Sequence, residues 1–519
     1  MSNREMAEAV SGDLIFSTVF MAQDCERITE HDEMEHIAGW CKEMAISRLY
    51  LETFRNGRMV ERSKMLRLKE FFMNKGFDIA GCITTTGLGK QSTGWKVLTC
   101  FTHAECQEML QKQFEYAASL FDLVIVDDFF YTDCECEECN AARGDRTFPQ
   151  YRRELMTRLS EERVLKPVRK VNPNVKIILK YPHWYDKYQL RGYDPRIQSR
   201  MFDYIFAGTE IRDPDRAPDD LPLVVQYEAY VMMRWLSAHA PGRCLGGWFD
   251  SIATTSRTYL EQAVMTVLCG ADEAFHFTCR SLMGGQKDGK YGAPGGTRNA
   301  QIIKEHLPQL YKLASLIKGK ELRGIHAYKP SGSESEPERY VIDFTGMLGL
   351  PLIPVPEFPA DARAIYCASH GAADPEIAAK LKQSVEKGIP VLVTDGLLRA
   401  VPELENEQGP IRLDVNGNPR GIMDMDPGKL DTMRNAMLKP LGMQVRAASR
   451  IALFLFGTDM VVLYNFNTAE QVVSFSTQEK IAFVNLLTIP SFETARIQTN
   501  DKGFTATLPA RTMVVMGAG

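Results

Sequence analysis

The stretch FDLVIVDDFFYTDCECEEC, residues 121–139, contains the features that decide how this chain folds. Its first part is apolar on both faces, which is typical of a strand buried inside a parallel sheet. The strand ends in two adjacent acids, Asp127 and Asp128, and three cysteines follow in C-x-C-x2-C spacing. Because acids are costly to bury without a partner or a ligand, this pattern indicates a site at the carboxyl edge of a sheet.

Similar apolar segments recur on both sides of this one and predict the fold class. Candidate strands lie at 14–20, 47–54, 77–85, 121–128, 175–181, 202–210, 243–250 and 273–278. Amphipathic helical stretches separate them, for example residues 103–121 and 226–240. Strands that alternate with helices predict a parallel sheet, and eight such units predict a (β/α)8 TIM barrel. A doubly wound sheet is the alternative, but no glycine-rich phosphate loop follows the first strand.

The rest of the chain predicts two smaller domains, since 519 residues are too many for one core. We place the barrel at 1–330 and interpret the polar segment PSGSESEPERY, residues 330–340, as a linker. Strand patterns on either side of an amphipathic helix predict a small α/β domain, Rossmann-like or amidotransferase-like, at 336–445. The strand-rich remainder, 446–519, predicts a C-terminal β-sandwich.

Composition and charge exclude several classes of protein. The net charge of −5 argues against a nucleic-acid partner, which would require a basic face. No apolar run reaches the length needed to span a membrane. The first residues contain no apolar segment typical of a secretion signal, which predicts a cytoplasmic protein, although a shortened chain would read the same.

The ends of the candidate strands are rich in charged side chains. Active sites of barrels lie at this end of the strands, so we expect these side chains to surround one mouth. They are Glu52, Arg55, Asp127, Asp128, Lys180, His183, Glu210, Arg212, Asp250, His276 and Arg280. The alternative is that some of them cap helices or form salt bridges.

A pair of carboxyl groups across such a mouth predicts glycosidic bond cleavage, which needs one acid and one nucleophile or base. The fourth and seventh strands lie on opposite sides of a barrel, which pairs Asp127 or Asp128 with Asp250. Trp184, Trp248, Phe129 and Tyr131 are candidates to stack on a sugar, the alternative being that they pack under the loops.

The cysteine cluster predicts a structural zinc. Cys134, Cys136 and Cys139 supply three thiolates, whereas a closed tetrahedral site needs four. Cys100 follows the third strand on the neighbouring loop and is the candidate for the fourth ligand. Cys106 lies within a predicted helix and is less free to point there. The alternative is a cluster of reduced thiols without metal.

An acid-bearing fourth strand, the C-x-C-x2-C loop and a cysteine after the third strand together resemble family-42 glycoside hydrolases. The resemblance implies a β-galactosidase-like barrel with a zinc held by these four cysteines, a trimerisation domain at 336–445 and a small β domain. That family ends its fourth strand with Asn-Glu and its seventh with Glu. This chain has Asp127-Asp128 and Asp250 instead. In one alignment Asp128 takes the place of the family's acid, and in another Phe129 does.

Three hypotheses for function follow. The first is a glycoside hydrolase acting on a terminal sugar, with Asp128 as general acid/base and Asp250 as nucleophile. The second uses Asp127 or Asp128 as nucleophile and Glu210 as acid, as in α-glycosidases. The third is a carbohydrate-binding protein without catalysis.

Further predictions concern the sugar and the assembly. As substrate-binding residues we expect Glu52, Arg55, Lys180, His183, Trp184, Trp248 and Arg280. The cations among them, with Arg212, suit an acidic sugar because arginine pairs bidentately with carboxylates, although pairing with the neighbouring acids is the simpler interpretation. No cofactor other than the zinc is expected. The resemblance implies a homo-oligomer, a trimer or alternatively a dimer.

Overall fold

A computed structural model of the protein describes residues 14–214, 225–284, 296–405 and 407–519. The chain divides into two compact units. The first contains Met1–Pro222 and His239–Leu307, and the second contains Leu223–Ala238 and Pro308–Gly519. Among the described residues, no helix combines the length and the apolar character needed to cross a membrane.

The first unit is built around a closed parallel barrel, which confirms the predicted fold. Its strands are β1 Ile15–Phe20, β2 Ile46–Arg55, β3 Asp78–Ile83, β4 Leu123–Val126, β5 Lys176–Tyr181, β6 Tyr204–Gly208, β7 Cys244–Asp250 and β8 Glu273–Phe277. Consecutive strands pair in parallel, and β1 also pairs with β8, which closes the barrel. The short strand Arg58–Met59 folds back antiparallel onto the end of β2.

The barrel interior is a packed core to which every strand contributes. The core residues are Val19, Tyr50, Ala80, Cys82, Ile125, Ile178, Phe206, Trp248 and Phe275. The strands are apolar on both faces because one face fills the barrel and the other packs under the helices. The sequence therefore shows continuous apolar runs instead of an alternating pattern.

Helices follow the strands along the chain. They are Ala22–Arg27, His31–Glu43, Arg62–Asn74, Ala104–Ala118, Glu137–Arg143, Phe148–Leu159, Lys166–Val171, Tyr188–Arg191, Pro195–Met201, Glu228–His239, Ser256–Leu268, Cys279–Leu282 and Gly296–Ile317. A π-helical turn, Ser160–Leu165, joins Phe148–Leu159 to Lys166–Val171. Thr147 and Thr255 begin their helices with capping boxes that satisfy the first backbone amides.

The second unit contains a five-stranded parallel sheet. Its strands run in the spatial order Leu352–Val355, Ile325–Tyr328, Ile365–Cys367, Val391–Thr394 and Ile411–Leu413. The second strand in sequence lies beside the first at one edge, which is the doubly wound order of flavodoxin-like folds. The helices of this part are Val341–Gly346, Ile377–Glu386, Asp395–Ala400 and Pro427–Leu438.

The segment 330–340 is not the solvated linker that its polar sequence predicts. The first strand of the parallel sheet, Ile325–Tyr328, lies before this segment, so the segment is part of the α/β fold. Glu338 is fully buried and accepts hydrogen bonds from Ser369 N, Thr394 Oγ1 and Gly396 N. A buried carboxylate with three donors lets polar residues lie inside the fold, which the sequence alone does not reveal.

The C-terminal part consists of two antiparallel sheets, as predicted. One contains Leu322–Arg323, Ile451–Phe456, Met460–Asn465, Thr512–Ala518 and Phe483–Ile489. The other contains Met443–Arg446, Gln471–Thr477, Gly503–Leu508 and Arg496–Asn500. The strand Leu322–Arg323 comes from ahead of the α/β sheet in sequence and pairs with Ile451–Phe456.

Candidate active site

A cavity of about 700 Å³ opens at the carboxyl ends of the barrel strands. Most of the polar residues that the sequence places at strand ends reach it. The predicted site residues that line the cavity are Arg55, Asp127, Asp128, Lys180, His183, Glu210, Arg212, Trp248, Asp250 and Trp184. Their positions relative to the strands were therefore enough to predict that these residues lie together.

Asp127, at the end of β4, is held by several hydrogen bonds. Its Oδ1 accepts from the backbone amide of Asp128 at 2.8 Å, and its Oδ2 accepts from Arg55 Nη2 at 2.9 Å. Burial alone raises the pKa of Asp127, but the Lys180 and Arg55 cations outweigh burial and bring the pKa below its ordinary value. Asp127 is therefore an ionised anchor whose oxygens are already engaged.

Glu52, at the end of β2, does not reach the cavity. It is fully buried and binds Arg55 Nε through both carboxylate oxygens at 2.9 Å. The backbone amide of Ala22 and the hydroxyl of Thr84 also donate to it. The predicted substrate-binding role does not fit this environment, in which Glu52 orients Arg55.

Lys180, on β5, connects the acids of two strands. Its Nζ lies 2.8 Å from Asp128 Oδ2 and 2.7 Å from Glu210 Oε1. These two oxygens are therefore no farther apart than about 5.5 Å. This upper bound lies below the separation of roughly 6.5–9.5 Å between the carboxyl groups of inverting glycosidases and is compatible with the roughly 5–5.5 Å of retaining ones. Lys180 also lies 4.5 Å from the centre of the Trp248 ring.

The two acids that contact Lys180 have perturbed protonation equilibria. Burial raises the pKa of Glu210 to about 7, with Lys180 opposing the shift and Asp128 and Asp250 adding to it. Burial also raises the pKa of Asp128, again against the influence of Lys180. Because Glu210 starts from the higher ordinary pKa, 4.5 against 3.8, we assign the retained proton to Glu210.

Asp250, at the end of β7, is clamped by Arg212. Arg212 donates to both of its carboxylate oxygens, with Nε at 3.2 Å from Oδ1 and Nη2 at 2.8 Å from Oδ2. The backbone amide of Ile252 donates a further hydrogen bond to Oδ1 at 3.0 Å. This buried bidentate pair fixes the carboxylate strongly, so Asp250 is less free than Asp128 to attack a substrate.

Aromatic residues form the floor and rim of the cavity. Trp248 is buried in the floor and stacks on Phe275, with the ring centres 3.9 Å apart. Trp184 lines the rim and meets Tyr131 edge to face at 5.0 Å. His183 lines the cavity as well, and burial lowers its pKa well below the ordinary value, which leaves a neutral ring.

Arg280 and His276 do not line the cavity. Arg280 lies in the short helix Cys279–Leu282 and forms an ion pair with Glu33, which directs it away from the cavity. His276 is fully buried, with its ring nitrogen Nδ1 at 2.8 Å from the hydroxyl of Tyr259. The positions of Arg280 and His276 in the sequence do not show whether their side chains point into the cavity or away from it.

Two functional candidates were missed by the sequence reasoning. Trp95 and Asp133 both line the cavity, and they come from the loops after β3 and β4. Trp95 lies 48% exposed in a loop of small and polar residues. A tryptophan in such a loop is itself a signal, because loops that carry function lie over the ends of barrel strands.

The four cysteines of the predicted metal site come together. The sulfur atoms of Cys100, Cys134, Cys136 and Cys139 all lie within 4.8 Å of one another. Three of these sulfur–sulfur distances are 3.6 to 3.8 Å. A tetrahedral zinc with Zn–S bonds of about 2.3 Å requires about 3.8 Å between sulfurs, so the cluster fits a metal site of four thiolates. Cys106 lies outside it, with its sulfur 3.2 Å from the backbone amide of Lys90.

The closed parallel barrel and the charged side chains at the carboxyl ends of its strands are typical of (β/α)8-barrel enzymes. The model of the family described as "Probable glycosyl hydrolase, catalytic domain" matches residues 3–300. This match spans more than half of the chain, and the chain belongs to that family of glycosyl hydrolases.

One curated relative is an uncharacterized protein of Saccharolobus solfataricus, 24% identical over 345 residues. The matched region is 60% of this chain and 55% of that protein, so the chain spans about half the length of this relative.

Three solved structures share the fold over nearly the whole chain. An α-L-fucosidase isoenzyme from Paenibacillus thiaminolyticus has a TM-score of 0.66 at 7% identity, covering 98% of this chain and 100% of that one. A family-42 β-galactosidase from G. stearothermophilus has a TM-score of 0.64 at 11% identity, covering 98% of each chain. A β-galactosidase from Bacillus circulans has a TM-score of 0.63 at 10% identity, covering 98% and 99%. At these identities the likeness concerns the fold, and the predicted distant relationship to family 42 is confirmed at that level.

Proposed function

We propose that the protein is a retaining glycosidase that releases a terminal sugar, with Asp128 as nucleophile and Glu210 as general acid/base. The observation that carries the proposal is the contact of one lysine, Lys180, with both carboxylates. It keeps one oxygen of each carboxylate within about 5.5 Å of the other. That bound is too short for the separation of roughly 6.5–9.5 Å expected for inversion and supports retention. This is the pairing of fourth and sixth strands that the sequence left open.

The assignment of roles follows from the oxygens that stay available. Within the described part of the chain, Asp128 Oδ1 and Glu210 Oε2 make no hydrogen bond, and both residues line the cavity. Glu210 keeps a proton near neutral pH because its pKa is about 7. Lys180 stabilises Asp128 as the carboxylate that a nucleophile must be.

The reaction proceeds in two steps. Asp128 attacks the anomeric carbon, the glycosidic C–O bond breaks, and Glu210 gives its proton to the leaving oxygen. The Glu210 carboxylate then takes a proton from water, whose oxygen attacks the anomeric carbon and displaces Asp128. The enzyme returns to its starting protonation state.

Asp250 has a different role in this proposal from the nucleophile predicted from the sequence. Its pairing with Arg212 supports a function in holding Arg212 in the cavity wall next to Glu210. A nucleophile needs an oxygen that can leave its partners, and breaking a buried bidentate pair is costly. The Asp128–Asp250 pair therefore remains the rival to be tested.

The three cations at the strand ends that line the cavity give an acidic sugar no support. Arg55 and Arg212 are bound to Asp127 and Asp250, and Lys180 contacts Asp128 and Glu210. Their charges are already compensated by buried acids, which is the simpler of the two interpretations of the sequence. We therefore propose a neutral sugar.

We also propose that the cluster of four cysteines holds one structural zinc. Four thiolates close the coordination shell and leave no open position for catalysis. When bound, the metal would supply a rigid link between the loops after β3 and β4. These loops carry Cys100 and the three cysteines 134, 136 and 139 respectively.

Kinetics of three matched variants test the catalytic pair. On an aryl glycoside that the parent hydrolyses, D128N should lower turnover by at least about a thousandfold, because no other group can form the covalent bond. E210Q should lose about 100-fold or more on poor leaving groups, much less on good ones, and azide should partly restore its activity. Should D250N be as inactive as D128N while E210Q stays near the parent, the Asp128–Asp250 pair replaces ours. No turnover of any aryl glycoside by the parent would favour the sugar-binding hypothesis.

A further inference from the structure

The rim of the cavity carries an aromatic pair, one member of it exposed, that the catalytic proposal does not use. Trp95, on the loop after β3, and Phe129, just after β4, lie with their ring centres 5.7 Å apart and their planes tilted by 39°. Both line the same cavity as Asp128 and Glu210. A tryptophan that stays 48% exposed beside a catalytic cavity leaves a large apolar surface for a ligand to cover.

A hydrogen-bond network fixes the backbone of Trp95. Its amide donates to Asp133 Oδ2 at 3.0 Å, and Arg191 Nη1 donates to the same oxygen at 2.7 Å. The hydroxyl of Ser92 donates to Asp133 Oδ1. One largely buried carboxylate therefore joins the loop after β3 to Arg191, which follows β5 in the chain.

The approach of the two loops depends on a glycine. A Cβ atom at Gly94 would lie 2.5 Å from the carboxylate carbon of Asp133, so any larger residue would force that carboxylate to shift. Next to it, Thr93 Oγ1 accepts from the amide of Glu135 at 2.8 Å. The loop that carries Trp95 is thus held against the loop of the cysteine cluster on both sides of Gly94.

Trp95 is carried by a loop, whereas the lysine that binds the reacting groups is carried by a barrel strand. Asp128 and Glu210 are bound to Lys180, which extends from within the barrel over the floor residue Trp248. Trp95 instead belongs to the rim, where the part of a glycoside beyond the scissile bond would lie. An indole ring offers a flat apolar face with little loss of conformational freedom, which suits stacking on a pyranose ring.

We propose that Trp95 forms the binding subsite for the leaving-group sugar and that Asp133 is the positioning residue that holds it there. The proposal rests on the proposed glycosidase function and specifies its substrate class as glycosides whose leaving group is itself a sugar ring. Phe129 supports the edge of the indole.

Two kinds of substrate with the same terminal sugar test the subsite. Reducing disaccharides carry a leaving-group sugar, whereas the corresponding glycosyl fluorides carry none. W95A should lower kcat/KM on the disaccharide at least about tenfold, mainly through KM, and leave kcat/KM on the fluoride within about twofold of the parent. K96A, at the neighbouring exposed residue outside the cavity lining, is the matched control and should behave as the parent on both. An equal loss by W95A on both substrates, or none on either, overturns the proposal.

A binding measurement separates this proposal from the catalytic one. If the parent hydrolyses neither substrate, the glycosidase proposal fails. Calorimetric titration with the same disaccharides then tests whether Trp95 contributes to sugar binding. Binding that W95A weakens about tenfold supports the subsite. Equal binding by both proteins, or no binding by either, overturns it.

The role of Asp133 has its own readout. D133N should raise the disaccharide KM, leave kcat on the fluoride unchanged, and increase quenching of Trp95 fluorescence by acrylamide, measured as the difference from D133N/W95F. A D133N variant that lowers kcat on both substrates equally, with unchanged quenching of Trp95, overturns the positioning role.

Discussion

A lysine buried between carboxylates favours the ionised form of each of them. Burial alone would lower the pKa of Lys180, but Asp128, Glu210 and Asp127 outweigh burial and raise it above its ordinary value, so the side chain stays a cation. The cation stabilises whichever neighbour is ionised. Asp127 is already fixed by Arg55, so the protonation equilibrium that remains is the one between Asp128 and Glu210.

Replacing this lysine should shift the pH dependence as well as the rate. In K180M, Asp128 and Glu210 lose a cation within hydrogen-bond distance, so both pKa values rise and the fraction of ionised nucleophile at neutral pH falls. We expect turnover to fall at least about tenfold at pH 7 and the activity maximum to move alkaline by about one pH unit. Lys176, at the exposed opposite end of the same strand, provides the control K176M. An unchanged pH optimum in K180M would contradict this role.

The parent should show a bell-shaped pH–rate profile. The general acid must be protonated, so activity falls as pH rises through the pKa of Glu210, about 7. The nucleophile must be ionised, so activity falls again as pH drops through the pKa of Asp128, which lies above its ordinary 3.8. Measured with a good leaving group, E210Q should lose the alkaline limb and keep the acidic one. An alkaline limb that persists in E210Q would assign the acid to another residue.

At the scale of elements, the strands could be predicted because their burial leaves a simple pattern. The predicted strand 175–181 is observed as Lys176–Tyr181, and the predicted strand 243–250 as Cys244–Asp250. Continuous apolar runs that alternate with helical stretches are typical of parallel strands buried on both faces. The same pattern located the site, since charged residues that follow buried strands lie at the mouth of the barrel.

The contacts made by each side chain could not be predicted from position along the chain. Glu52 and Lys180 both come from strand ends, yet Glu52 is enclosed beneath Arg55 while Lys180 faces the cavity. Whether a carboxylate at a strand end is held by a cation depends on residues distant in sequence. Asp250, for example, is held by Arg212. For this reason the sequence identified the acids but left their pairing open.

The loops after β3 and β4 should depend on the metal for their stability. C136S removes one of four thiolates, so we expect the zinc content to fall below about half an ion per chain. The midpoint of thermal unfolding should fall by about 5 °C, because metal binding contributes to folding free energy. C106S is the matched control, since Cys106 is buried nearby but lies outside the cluster. Parent protein prepared without chelator that contains no zinc would rule the proposal out.

At the scale of the whole molecule, the domain boundaries at 336–445 and 446–519 stay predictions, and the structure adds a reason to revise the first. The parallel sheet begins at Ile325–Tyr328, and its buried core includes Tyr328 together with Ile365 and Val391. The α/β part therefore has a core of its own. It needs no partner to complete that core.

The last prediction is that the protein forms oligomers through residues 336–445. The side chains exposed on this segment determine which forces would hold such an interface. Within the described residues of this segment, no large apolar side chain is exposed, whereas Val472 and Phe492 in the C-terminal part are. An interface formed by 336–445 would consequently be polar and held by charges, which salt screens to a Debye length of about 3 Å at 1 M. We expect light scattering to give the mass of a trimer, or alternatively a dimer, at low ionic strength and a smaller mass in 1 M sodium chloride. A monomer at micromolar concentration in low salt would end the proposal. An oligomer indifferent to salt would contradict an interface formed by 336–445 and favour one of the exposed apolar surfaces outside this segment.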